Sequence, residues 1–225
     1  MTRTIIDDRL DFLEIDLKDK YDTINDTIKR INHTIDMQLD KLREIDIDYE
    51  LATARAKKQF DEQIGAVEKI IKQYSFNEDL LEHGTAFLRE LKRQNDEKIY
   101  SQNRADYFAK LQIYRTATAA KLKTLDEEYG NLKVDVKNLH EYLREKGAQI
   151  REIAAMIQTY VHETDPDLQR KYRAYQERLD YIRRHYKNED ILKSHVVDKK
   201  CSLIHPRLNE LADTISSVKM TLNTQ

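Results

Sequence analysis

A chain of 225 residues with only 4 Gly and 2 Pro lacks the breakers that a compact mixed fold needs for its many turns. With 36% charged residues, 40% hydrophobic residues and no Trp, it fits long helices around a narrow apolar seam and excludes a wide globular core. The formal net charge of -2 creates no whole-molecule field for nucleic acid or a membrane surface, and thirteen Tyr with abundant Ile exclude the disorder that such polarity would otherwise imply.

The balance hides an asymmetry: residues 1 to 50 carry 8 Lys/Arg against 14 Asp/Glu, whereas residues 151 to 200 carry 11 against 9. The single cysteine, Cys201, rules out an internal disulfide framework and fits a reducing compartment. The opening MTRTIIDDRL has no apolar core of a signal peptide, so a cytoplasmic location is expected, with the nucleus as the alternative. The sequons at Asn25 and Asn32 then read as chance on a polar helix face.

Leu17, Tyr21, Ile24, Ile28, Ile31, Ile35, Leu42, Ile45, Tyr49, Ala52 and Ala56 follow steps of four and three, with only Gln38 polar in the register. That is a heptad seam, and it predicts one helix from about residue 4 to 74, roughly 100 Å long, with a stutter after Ala56. Ser75-Phe76-Asn77-Glu78 predicts a reversal, with Asn77 as cap and Phe76 stapled to Leu81. A second seam from Phe108 through Leu111, Thr118, Leu122, Leu125, Leu132, Leu139, Leu143, Ile150 and Ile157 predicts a helix over about 78–163, interrupted by Arg115 and Lys146. Gly130 and Gly147 each cost it about 1 kcal/mol relative to Ala without losing the register. Asp165-Pro166 caps and starts a third helix over about 166–187; Asn188 predicts a second cap before a fourth segment over 189–222, kinked at Pro206.

These elements define an all-α fold: an elongated antiparallel coiled coil or helical bundle of three long helices, the third broken or kinked, forming one domain over 1–225. Counting from the turns, Leu222 ends near Tyr107. The seam residues Leu17, Ile24, Ile31, Leu42, Leu122, Leu132, Leu139 and Leu143 are the expected interface positions.

No catalytic apparatus is legible. Four scattered glycines build no phosphate loop, and Asp79 with His83 or His140 with Glu141 forms no converging metal set. His162, His185, His195 and His205 share no helical face. Cys201 reads as a buried small hydrophobe. Neither metal nor organic cofactor is expected, nor a small-molecule substrate. The segment Gln169 to Lys187 carries seven basic residues against two acids: Arg170, Lys171, Arg173, Arg178, Arg183, Arg184 and Lys187 form a candidate anion or partner surface. The competing readings are ordinary bundle surface and pairing with the acidic N-terminal residues.

The stretch Phe108-Ala109-Lys110-Leu111-Gln112-Ile113-Tyr114-Arg115 followed by Leu122 resembles part of the second helix of ciliary BAR-domain proteins. The resemblance implies a curved dimer that binds anionic membranes through basic residues on its concave face and tips. Read from its residues alone, the chain is expected to be a non-enzymatic scaffold that self-associates or assembles with helical partners. The membrane module is the alternative, and nucleic acid is the less favoured polyanion.

Overall fold

A computed structural model describes residues 4–74 and 76–224; among them 92% are helical and no strand occurs. The first run comprises α1 (Ile5–Leu13) and α2 (Lys18–Gln73), the second is α3 (Glu78–Gln158), and the third comprises α4 (Pro166–His185), α5 (Ile191–Ser202) and α6 (Ile204–Asn223). The all-α fold of three long helical runs, the third broken, is thus what the seams predict.

The first helix does not run unbroken from residue 4. It stops at Glu14–Leu17, where Asp16 accepts the Lys18 N–H at 3.0 Å and the buried Leu17 offers its carbonyl to the Tyr21 N–H at 3.1 Å. Asp16 therefore caps α2 from two residues ahead, which removes one orphan donor of the new helix. The cap at Asn77 forms, its side chain accepting the Leu80 N–H, but the staple does not: Phe76 is 82% exposed and leans on the Tyr74 ring instead. Ser75, in that reversal, lies outside the described residues. The second helix ends at Gln158, five residues short of expectation, and the chain turns through Tyr160 N–H to Ile157 carbonyl and neighbouring short-range bonds. Asp165 caps α4 by accepting the Asp167 N–H, with Pro166 in the first turn.

No cap forms at Asn188. Helix α4 passes into α5 through a π turn, Tyr186–Asp190, in which the Ile191 N–H reaches back to the Tyr186 carbonyl. Pro206 acts one turn upstream of itself: without an N–H to donate to Ser202, the helix opens at Leu203 and α6 begins at Ile204.

The described residues group into two compact units, one containing those up to Thr34 with Lys123–Asn209, the other Ile35–Leu122 with those from Glu210 onward. In the first, Ile6, Leu10 and Leu13 of α1 interlock with Ile150, Ile153 and Ile157 of α3 and Tyr175, Leu179 and Ile182 of α4. In the second, α2 and α3 run antiparallel, joined by Asp46–Tyr107, Asp48–Lys110 and Glu68–Lys92 contacts. Val218 of α6 packs on Phe108, Leu111 and Tyr114, and Leu222 shares that cluster with Tyr107. The polar seam position Gln38 meets a second polar one: Thr118 Oγ1 donates to Gln38 Oε1 at 3.3 Å in a fully covered site. Arg115 is not a seam residue; buried Tyr114 takes that turn, giving steps of three and four from Leu111 to Thr118.

Gly147 has a structural reason to be glycine. A Cβ there would lie 2.6 Å from Tyr186 Oη, which donates to the Leu143 carbonyl at 3.2 Å, so the tyrosine rests directly on the α3 backbone. Gly130 has nothing within 4 Å of the same position. Gly130→Ala is expected to raise stability by about 0.5–1 kcal/mol through helix propensity alone. Gly147→Ala is expected to lower it by about 1 kcal/mol, because overpacking of about 1–3 kcal/mol outweighs the same propensity gain. Urea melts of the two variants check the opposite signs.

Candidate functional site

The seven basic residues of the third run do not form one surface; the helix face on which each falls assigns it a different neighbour. Arg178 turns inward to α1. Its Nε lies 2.5 Å from Glu14 Oε1 and its Nη2 2.7 Å from Glu14 Oε2, and Nη2 also reaches Asp11. This is a forked guanidinium–carboxylate clasp, strengthened because the arginine side chain is only 29% exposed. The hydrogen bond from Arg178 holds the Glu14 carboxyl below the ordinary glutamate range. The reading that pairs basic residues with the acidic N-terminal segment describes this residue.

One turn earlier, Tyr175 Oη donates to Asp7 Oδ2 at 2.9 Å and lies 2.7 Å from Thr4 Oγ1. Thr4 and Asp7 form a capping box at the start of α1: the Thr4 N–H donates to Asp7 Oδ2 and Thr4 Oγ1 accepts from the Asp7 N–H. The Thr-x-x-Asp spacing is the signal in the sequence that marks this helix start. Bonded first by the Thr4 backbone N–H, then by the Thr4 hydroxyl and Tyr175, Asp7 is held at about 2 against an ordinary 3.8. Since the folded value lies below the unfolded one, its contribution is complete above about pH 4 and is lost as pH falls toward 2. Acid titration followed by hydrogen exchange is expected to release α1 in that window, and Asp7→Asn to flatten the acid limb.

Arg170 stands 3.9 Å from Asp167, and Lys171 sits over the Tyr175 ring at 5.8 Å. Arg173 is exposed, with no carboxylate partner among the described residues. Arg183, Arg184 and Lys187 point to a different place, a recess of about 620 Å³ between α3 and the end of α4. Gly147, Ile150 and Tyr186 line it, Arg151 of α3 joins the cations, and Asp180 and Asn188 complete the rim. Arg183 lies 3.4 Å from the Asp180 carboxylate, and Arg184 Nε donates to the Asp180 carbonyl at 3.2 Å. Arg151 was not among the residues singled out by the sequence, because it sits on another helix from the basic run.

Beneath the π turn is a buried ion pair. Lys146 Nζ donates to Asp190 Oδ2 at 2.8 Å, with side chains 6% and 1% exposed. The Asp190 carbonyl accepts from Tyr21 Oη at 2.6 Å, His185 Nδ1 approaches Oδ2 to 3.8 Å, and Oδ1 is buried without a hydrogen bond. Burial, then the Asp190 charge, drives the Tyr21 hydroxyl far above its usual pKa, so it stays protonated as the donor. The polar interruption at Lys146 in the second seam thus has a specific partner 44 residues away.

Of the expected interface positions, Leu17, Ile24, Ile31, Leu132, Leu139 and Leu143 are buried, while Leu42 and Leu122 are partly covered. These side chains are covered by the chain itself. Cys201 is buried too, and burial pushes its thiol up, away from the thiolate that nucleophilic chemistry uses. His140 Nε2 lies 2.7 Å from Asp198 rather than serving with Glu141, and no group of three or more His, Cys, Asp or Glu able to hold a metal occurs among the described residues. Among those residues no helix is long and apolar enough to cross a membrane. No family model matches the chain, and no curated protein or solved structure shows significant similarity to it.

Proposed function

We propose that this chain is a non-enzymatic helical scaffold of the cytoplasm, assembling through helix–helix contacts with a second copy of itself or with other helical proteins. The observation that carries the reading lies in the second unit. There the inner seam is filled by the chain's own residues, yet Ile47 and Leu51, one turn apart on α2, remain 53% and 48% exposed. An i, i+4 apolar pair is the pattern by which one helix receives another. Because the inner seam is occupied in cis, assembly uses this outward face instead of the seam leucines.

Sedimentation of the full chain by analytical ultracentrifugation tests the reading, with Ile47→Lys/Leu51→Lys as the variant. The expected result is an assembly that the variant loses while its helicity is unchanged, since both positions face solvent in the single chain. A wild-type monomer at high concentration, with no helical partner recovered from its source, overturns it. The BAR-like membrane dimer has less support, because Arg178 is clasped by Asp11 and Glu14 and the remaining cations are dispersed over more than one neighbourhood.

A further inference from the structure

We infer that the recess between α3 and the end of α4 binds a ligand carrying two linked phosphate groups. Residues 180, 183, 184, 187 and 188 recur at helical spacing, so they share one face of α4 and its π turn, opposite Gly147 and Arg151 of α3. That face and its counterpart bring three arginines and one lysine against a single aspartate, a local net charge of three.

Two features separate this from an ordinary solvated basic stripe. The cations come from two helices and surround a concavity of about 620 Å³, where an ordinary stripe would be convex. The intramolecular partners are also insufficient: the Asp180 carboxylate meets only Arg183, Arg184 reaches only the neutral Asp180 backbone carbonyl, and Arg151 and Lys187 have no carboxylate partner among the described residues. The contrast with Arg178, whose two carboxylates neutralise it, lies on the same helix.

The charge and shape select the ligand class. A carboxylate would leave most of the excess uncompensated, whereas a diphosphate carries about three negative charges near neutral pH and offers oxygens for forked guanidinium contacts. The buried Ile150 and the Tyr186 ring floor the recess with apolar surface, which limits solvent screening on one side. Gly147 keeps that floor low, since any side chain there would displace Tyr186. The two phosphates can be joined directly, as in a soluble diphosphate, or carried on neighbouring carbons of a phosphoinositide headgroup; the paired phosphate oxygens recognised by the guanidinium groups are common to both.

The test uses the full chain and sodium pyrophosphate, followed by titration calorimetry at low and physiological salt with helicity monitored in parallel. Stoichiometric binding that weakens with salt is expected, reduced at least about tenfold in Arg151→Gln/Arg184→Gln and by less than about twofold in Arg173→Gln. Should the double variant lose helicity, Lys187→Gln repeats the measurement at an exposed position outside any hydrogen bond described above. A second arm uses phosphatidylcholine vesicles with and without phosphatidylinositol bisphosphate. Co-sedimentation with the phosphoinositide vesicles, displaced by pyrophosphate, assigns the site to a headgroup; pyrophosphate binding without co-sedimentation assigns it to a soluble ligand. Absence of pyrophosphate binding at low salt, or an equal loss in Arg173→Gln, overturns the proposal. The result is separable from the assembly reading, whose variants lie in the other unit.

Discussion

Leu132→Lys/Leu139→Lys is expected to leave the first unit unfolded at room temperature, seen as loss of most of its helical signal and a collapsed urea midpoint. Leu132 is fully buried and Leu139 is 3% exposed, seven residues apart on the same stripe of α3. Each substitution removes an apolar side chain worth about 2–5 kcal/mol on truncation and places an ammonium where no carboxylate waits. A domain holds only about 5–15 kcal/mol in total, so two such changes exceed its margin. Charge reversal at Glu127, or at Lys137, whose partner Glu141 is 3.6 Å away on an exposed face, is expected to stay within about 0.5 kcal/mol. Equal effects in the two sets would refute the assignment of α3's buried stripe.

Lys146→Met is expected to destabilise the protein by about 3–5 kcal/mol, measured by equilibrium denaturation, because it leaves the Asp190 carboxylate buried at 1% exposure with its principal cation removed. The cost comes mainly from the orphaned charge, since Asp190 Oδ1 already lacks a hydrogen bond and only His185 stands near Oδ2. Adding Asp190→Leu to Lys146→Met is therefore expected to recover most of the loss: an apolar pair of similar volume removes both desolvation penalties. The Tyr21 bond survives in the double variant because it goes to the Asp190 carbonyl instead of the carboxylate. A double variant no more stable than Lys146→Met would show that the ion pair itself, and not the relief of a buried charge, holds the π turn.

The layout of the helices was legible because seam period and cap chemistry are local. The meeting of Leu222 with Tyr107 followed from counting residues between turns. The break at Glu14–Leu17 was not legible for a physical reason: Leu10, Leu13, Leu17 and Tyr21 keep steps of three and four straight through it, so the apolar pattern carries no trace of the interruption. Only Asp16 and the Thr4–Asp7 spacing mark it, and both are short polar signals inside an acidic run. Lys146 was visible as a fault in the register, but its partner sits on another helix at a π turn, and neither sequence distance nor period points to Asp190. The same limit applies to the basic recess. Arg183, Arg184 and Lys187 stand out within a charged segment, whereas Arg151 is ordinary until α3 is laid beside α4. Arg178 shows the converse error, a residue grouped with its neighbours in sequence that the fold commits to Asp11 and Glu14.

The docking of α1 has a consequence for how the chain is made. Its partners Tyr175 and Arg178 lie 168 and 164 residues downstream of Asp7 and Glu14. At roughly 5–20 residues per second, the ribosome delivers those partners about 10–30 s after α1 has emerged. Throughout that interval Ile6, Leu10 and Leu13, which end up almost fully covered, lack the α3 and α4 surfaces that bury them. A nine-residue helix is too short to persist alone in water, capping box or not. Helix α1 therefore acquires its structure only after those later segments have been made, and until then it is an apolar stretch open to a chaperone.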